Sequence, residues 1–523
     1  MMMETKKAIP ALSILLSAAI AVTGCGGSQS AAKNSDKSAA EGDKPLEIKW
    51  LGNGTAGMYP GEDAYIVQEL NKRFNVKLLP VKADSAKDQE LSMLLASGEV
   101  PDHMLVGANS IGKILDQGAG RTIPVDMIKQ AAPNLWKSTL ENYPQLEQMS
   151  VYKNGQLLAL PEGTRELFPF TAVRTDWLKK VGANMPTNLE EFKEVAKLFT
   201  TKDPDGDGKN DTYAFSLSTG YSNIYTLAAA FGISLPGGTV KDDSWVKDKN
   251  GSLIRAQVSQ NYKSLIAYLA DLYKSGYIYP DVTVKDQDAL FSDGFVGMRT
   301  AGWTAMMPKY RPSDWFALTF KKNPQATTDY LPPLKGPDGK DAVFEKQSSV
   351  WRYMVVGKDT SDAKLKKILQ ILDAQLVDKD VHNLVWRGKE GVHFTVNGEG
   401  MAELTKEYAS NEKQAETGIK FFIVNNRNEE QFKLSFGNEA AVQANIQKSY
   451  KTTDQLIPAG TIIQSYSEFG ADVKKIEDEF FIKAITGSWD VQTEWDNYVK
   501  RWNAAGGDKI TKEVNEAYQK LKK

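Results

Sequence analysis

A single cysteine stands in 523 residues, at position 25, so no internal disulfide is available. Whatever folds must be held by burial of apolar side chains. The material is there: 41% of residues are hydrophobic and 10% aromatic, at a length where one core gives way to two or three domains. The residues before the cysteine read differently from the rest. Lys6 and Lys7 precede an apolar run from Ala8 to Ala21 and then Val22-Thr23-Gly24. A charged start, a short apolar segment and small residues make 1–24 an expected signal peptide, too short to span a membrane stably. Gly26 to Asp43 is rich in Ser, Ala, Gly and Lys and has no large apolar side chain. It cannot offset the entropy of ordering, so 25–44 is expected to be a flexible linker. Charge is balanced, 64 basic against 66 acidic residues, with no basic stripe, which speaks against a nucleic-acid partner.

From Pro45 the periodicity alternates. Leu46 to Leu51 reads as a strand running into the small, polar loop Gly52-Asn53-Gly54-Thr55-Ala56-Gly57. A helix follows from about Asp63 to Phe74, a strand from Val76 to Val81, a helix from Asp88 to Ser97 closed by Gly98, and a strand from Pro101 to Val106. This order predicts a parallel sheet covered by helices on both faces. Ligands of such sheets bind beyond the carboxyl ends of the strands, which places Asn53 and Asn109 at the site. The pattern restarts near Leu167: a strand over Phe170–Arg174, helices over Asp176–Val181, Leu189–Phe199 and Ile266–Ser275, and a short strand over Gly294–Met298. Val350–Val356 reads as a further strand and Asp362–Leu376 as a strongly periodic helix. Three helices close the chain: Ala471–Thr486, Val491–Ala504 and Lys509–Lys522.

Cys25, directly after small residues, resembles the lipobox of bacterial lipoproteins, which implies lipidation of Cys25 and a lipid-anchored linker. Further motifs join it. These are the opening strand with its glycine-rich loop, Ala96-Ser97-Gly98-Glu99-Val100-Pro101-Asp102, Lys153-Asn154-Gly155-Gln156-Leu157-Leu158-Ala159-Leu160-Pro161, Arg174-Thr175-Asp176-Trp177-Leu178, and Gly297-Met298 before a Trp. Together they resemble the extracellular solute-binding lipoproteins of carbohydrate ABC importers, family 1 type, related to maltodextrin- and alginate-binding proteins. The resemblance implies an α/β, two-lobe periplasmic-binding-protein-like fold (type II) with a hinge of several crossing segments. The expected N-terminal lobe is 45–164 with about 349–400, and the expected C-terminal lobe is 165–348 with about 401–523. It further implies a monomer on the extracytoplasmic face of a Gram-positive-type cell membrane, capturing an oligosaccharide by lobe closure and passing it to ABC permease subunits.

Asp203-Pro204-Asp205-Gly206-Asp207-Gly208-Lys209-Asn210-Asp211 sets carboxylates at alternate positions around a glycine turn, the donor pattern of a calcium loop. Asp203, Asp205 and Asp207 would ligate by side chains, Lys209 by its carbonyl, and Asp211 at the ninth position. The twelfth position is Ala214, so the bidentate Glu of an EF-hand is missing, and a sensor's opening is not expected. Alginate-binding relatives hold calcium structurally in a similar loop; the resemblance implies that role for Ca2+ here, with Asp211 and Thr212 closing the shell. The other reading of the same residues is a solvated Asp-Gly turn.

Sugars offer apolar faces and a rim of hydroxyls, so aromatic platforms and polar side chains are sought together. Trp50 and Trp177 are assigned to the core. Trp303, in a loop after a short strand, matches the position of a stacking tryptophan in the maltodextrin-binding relative. Trp351, beside Arg352, reads equally as binding or packing. Trp386 resembles a glycine-bearing loop of the family near the cleft. Polar candidates are Asn53, Asn109, Arg165, Glu166 and Arg352. Arg165 stands where the maltodextrin relative has an acidic binding residue, which points to an acidic sugar such as a uronate; it reads equally as a hinge bridge to Glu162 or Glu166.

The rival class, a secreted carbohydrate hydrolase, needs a carboxylate pair with separated pKa values. No such pair sits at successive strand ends of a barrel, and the restarted pattern opposes that fold. His103, His382 and His393 are the only histidines; they have neither zinc-ligand spacing nor a nucleophile elbow. A sugar receptor that feeds a sensor rather than a permease reads the same in sequence.

Overall fold

The computed structural model describes residues 44–521 apart from 55–56, 85–87, 108–109, 164–168, 218–221, 235–243, 283–285, 303–305, 309–313, 346–349, 351, 426–428, 440–441, 443–445, 447, 449, 454–455, 458–460 and 462. Cys25, Asn109, Arg165, Glu166, Trp303 and Trp351 therefore lie outside the described residues.

Strand β1 (Leu46–Leu51) leads through helix α1 (Tyr65–Phe74) to β2 (Val76–Pro80), and β3 (His103–Gly107) lies on the other side of β1. All three run parallel, as the alternation predicts. Helix α1 forms because Ile66, Val67 and Leu70 fall on one buried face while Lys72 and Arg73 complement its C-terminal dipole. Asn75, at φ 48°, ends it in the left-handed region. The sheet is completed by chain from far away. β4 (Leu160–Glu162) and β8 (Arg352–Gly357) pair antiparallel, and β8 also runs antiparallel to β3. Behind the sheet packs α4 (Asp362–Val377), through Leu365, Ile368, Leu369 and Leu372. The core includes Ile48, Trp50, Met104, Tyr353 and Val355, and also Ile419, Phe421, Phe422 and Val424. These last four pack here although residues from about 401 are expected with the second lobe.

A second assembly centres on β5 (Phe170–Arg174), flanked by β6 (Met298–Ala301) and β7 (Thr328–Tyr330). Both partners run antiparallel to β5, so the second unit does not repeat the parallel pairing of the first. Alternating pattern marks a strand without giving its direction, which is set by the long connections that return each partner. The short strand expected over 294–298 begins four residues later, at Met298. The Phe295 carbonyl and the Gly297 N–H are occupied in hydrogen bonds with Tyr213, and bonding to β5 begins only at the Gly297 carbonyl, which accepts from the Arg174 N–H at 2.9 Å. Helices α2 (Leu189–Thr201) and α3 (Gln260–Lys274) cover this assembly, and α6 (Gln464–Ile485) and α7 (Val491–Trp502) add Phe480, Phe481, Trp495 and Tyr498 to its core. Phe480 and Tyr498 stack with centroids 4.1 Å apart. Helix α6 starts at Gln464, seven residues before the expected Ala471. The Glu513 carboxylate, on α8 (Asp508–Leu521), accepts from the backbone N–H groups of Gln464 and Ser465 and so caps that added length.

Candidate functional site: the strand-end cluster and the acidic loop

Beyond the carboxyl end of β1, Gly52 meets the chain turn at Lys420 and Phe421. A Cβ at Gly52 would stand 2.2 Å from the Phe421 carbonyl oxygen, so only glycine allows this approach. The Asn53 backbone N–H donates to that same carbonyl at 2.9 Å, and the Asn53 side chain donates to the Lys420 carbonyl at 3.4 Å. The remaining Asn53 oxygen accepts from Arg352 Nη1 at 2.5 Å. Two expected residues, Asn53 and Arg352, are thus brought together at the predicted end of the sheet.

Arg352 lies opposite Glu162 in the β4–β8 ladder. Glu162 is 0% exposed; its Oε2 accepts from the Asn425 side chain at 3.4 Å, and its Oε1 has no partner among the described residues. Burial pushes this carboxyl up to about 7, against the lowering pull of the Asn425 backbone, the Arg352 charge and the Asn425 side chain. Burial also lowers Arg352, opposed by the charges of Glu162 and Asp84. Among the described residues, membership changes between the first core and the second assembly at three places: between Leu160 and Phe170, between Phe344 and Val350, and between Val424 and Phe436. Glu162, Arg352 and Asn425 mark these three passages, so one polar cluster ties them together.

Trp386 is placed elsewhere than expected. It lies in α5 (Lys379–Arg387), 8% exposed, stacked on His382 with centroids 5.8 Å apart, within the first core rather than on a loop. The loop begins only at Gly388, at φ 86°. Trp50 and Trp177 are core residues, 1% and 0% exposed. His103 stacks on Trp50 at 3.8 Å and is held near a pKa of about 3 by burial, so it stays neutral in the core. From sequence alone Glu162 reads only as a partner for Arg165, and Asn425 has no role. No local signal marks either, because their meaning arises from pairing across the sheet.

The acidic loop leaves the C-terminus of α2. Asp203, Asp205 and Asp207 each offer a carboxylate oxygen, and these oxygens lie within 4.8 Å of one another. Gly206, at φ 81°, makes the turn, and the Gly206 and Gly208 N–H groups donate to Asp203 at 2.9 and 3.2 Å. Lys209 donates to Asp207 from its backbone N–H at 2.8 Å and from Nζ at 2.6 Å, which lowers the Asp207 pKa. Asp205 is raised by burial and by sharing a hydrogen bond with Asp203. Asp203 is lowered in spite of burial, through Asp205, the two glycine N–H groups and Lys180. Thr212 is 1% exposed and donates to the Phe199 carbonyl at 2.8 Å, so its hydroxyl anchors the loop to α2 instead of closing the acidic group. Asp211 is not part of the group of three either. Three hard oxygen donors at this spacing fit a calcium ion, and Ala214, 0% exposed at the twelfth position, keeps the loop distinct from a complete EF-hand.

The family of bacterial extracellular solute-binding proteins matches residues 65–372. The chain belongs to that family. It is 26% identical to the polygalacturonan/rhamnogalacturonan-binding protein YtcQ of Bacillus subtilis, over 96% of this chain and 98% of YtcQ. The alginate-binding protein AlgQ2, solved without calcium ion, superposes with a TM-score of 0.66 at 18% identity, covering 91% of this chain and 98% of AlgQ2. An EF-hand mutant of the S. pneumoniae ABC-transporter substrate-binding protein FusA, in complex with fructo-nystose, gives 0.65 at 19% identity over 91% and 99%. The fold is therefore the two-lobe, type II periplasmic-binding-protein-like fold expected from the sequence. Among the described residues no helix is long and apolar enough to cross a membrane.

Proposed function

We propose that this chain is the lipid-anchored receptor of a carbohydrate importer and that it binds a uronate-bearing oligosaccharide. Cys25 carries the lipid, 25–44 is the tether, and a monomer from about Pro45 holds the sugar between its lobes on the outer face of the membrane. The first lobe comprises 45–163 and 350–425, and the second comprises 170–345 and 429–521. Ligand contacts both lobes only when they close, and this differential affinity shifts the population toward the closed state that an ABC permease accepts. The sugar leaves chemically unchanged, and the acidic loop binds calcium as a structural ion.

One observation carries the reading: the guanidinium of Arg352 and the amide of Asn53 meet beyond the carboxyl ends of the parallel strands, where the three passages between lobes converge. A guanidinium pairs bidentately with a carboxylate, and the relative YtcQ is named for galacturonan polymers. The test is calorimetric titration with a galacturonate trisaccharide and a neutral fructan trisaccharide, followed by chromatography of the recovered sugar. Preferred binding of the acidic sugar, recovered intact, supports the reading. Equal affinity for both refutes the uronate assignment, and consumption of either sugar restores the hydrolase.

A further inference from the structure

We infer that Glu162 is a specificity-determining residue that sets the charge of the strand-end cluster, taking up a proton when an anionic sugar binds beside Arg352. The inference rests on the uronate reading above. Its ground is geometric. Residues opposite one another in an antiparallel ladder project to the same face, so the Glu162 carboxyl and the Arg352 guanidinium share one environment. Glu162 is 0% exposed, and its Oε1 lacks a partner among the described residues. A buried carboxylate left with one oxygen unpaired is costly, whereas the protonated group carries no net charge to desolvate.

Among the described residues the charges that act on this carboxyl are few. From β8 Arg352 faces it, and Asp84, on the segment after β2, acts on Arg352. Asn53 and Asn425 contribute neutral amides, and Lys420 meets Asn53 through its carbonyl while its Nζ donates to Gln414 at 3.4 Å. Arg165 and Glu166 lie outside the described residues. With Glu162 ionised, an incoming carboxylate meets a like charge beside Arg352. With Glu162 protonated, one of the two negative charges that act on Arg352 is removed, and the guanidinium is more open to an anionic partner. Burial already pushes Glu162 up to about 7, so both forms are populated near neutrality. A uronate carboxyl, with an ordinary carboxylate pKa, is ionised throughout this range. Its binding therefore favours protonated Glu162, and one proton enters with the ligand.

The experiment titrates the mature chain with the galacturonate trisaccharide from about pH 5.5 to about pH 8.5, in paired buffers of different ionisation enthalpy so that proton uptake is counted directly. Affinity should be level below about pH 7 and then fall by up to about tenfold per pH unit, with uptake approaching one proton. Glu162→Gln should flatten that profile and abolish the uptake. The proton count on the wild-type chain decides the matter without a variant. Tight binding of the acidic sugar without proton uptake, or with the same pH slope in Glu162→Gln, overturns the inference and leaves the uronate reading standing. Failure of the acidic sugar to bind at any pH overturns both.

Discussion

Replacing Glu162 by Gln should make the folded chain less sensitive to alkali, and the size follows from its surroundings. The ordinary value of 4.5 is pushed up to about 7 by burial, and at about 1.4 kcal/mol per pH unit that rise disfavours the ionised folded form by about 3 kcal/mol. The direction is set by which state holds the proton more tightly. Folded Glu162 does, so its contribution is most favourable below about pH 4.5, declines as pH rises to about 7, and is constant above that. Gln keeps the shape and one oxygen able to accept from Asn425 but has no charge to desolvate, so the decline disappears. For a folded unit running from Pro45 to Lys523, the unfolding entropy is about 1 kcal/mol per kelvin, so about 3 kcal/mol corresponds to about 3 °C. The assay is thermal unfolding of both proteins, followed by tryptophan fluorescence at about pH 5 and about pH 8. Between those two conditions the wild-type chain should lose about 3 °C more than Glu162→Gln. An identical loss in the two proteins would refute the argument that Glu162 is buried as a titrating carboxyl.

Other perturbations probe the rest of the molecule. Calcium returned after chelation should stabilise the fold by about 2.7 kcal/mol at a hundredfold its dissociation constant and so raise the melting temperature, and Asp207→Ala should remove the rise; an unchanged calcium response in the variant would exclude the acidic loop as the site. In the second assembly Glu477, 0% exposed, accepts from Arg255 Nε at 3.2 Å and Trp502 Nε1 at 3.0 Å. Glu477→Leu takes the carboxylate away from the buried Arg255 guanidinium and should cost about 3–5 kcal/mol, much of it recovered when Arg255→Met is added; denaturation of the single and double variants measures this, and no recovery would mean that the ion pair is not the cause. Gly52→Ala should cost about 1–3 kcal/mol and weaken sugar binding, because its Cβ must displace the Phe421 carbonyl that holds Asn53; wild-type melting and affinity would disprove that constraint.

Local features were legible in the sequence. β1 and β5 begin and end where their patterns do, because a strand's alternation is complete within six residues and is bounded by glycine or by a helix start. The acidic loop was legible for the same reason: its donors, its turn glycines and its missing twelfth ligand lie in one short stretch. Thr212 shows the limit even there. Its neighbours place it in the loop, yet its hydroxyl answers the Phe199 carbonyl, a helix-end acceptor that needs a donor. Trp386 differs from its expectation for the opposite reason. The family resemblance implies a loop there, but Val381, Leu384 and Val385 continue an apolar helical face that carries the tryptophan into the core.

The strand-end cluster was only half legible, and the missing half is the part with chemistry in it. Asn53 and Arg352 could be named because each follows or opens a readable strand. Glu162 acquires its properties from register: a shift of one residue in the β4–β8 pairing would turn its side chain to the other face, away from Arg352. Asn425 acquires its role from a connection that returns to the first core after the helices have been built. Neither fact is present in a window of sequence, since both depend on where chain segments separated by nearly two hundred residues or more come to rest. Binding sites at lobe junctions are built from such meetings. The passages must converge for the lobes to be joined at all, and the polar groups at their ends must be satisfied by one another or by a ligand. Glu162 Oε1 is such a group without a partner among the described residues, which is why the cluster rather than either core carries the predictions about binding.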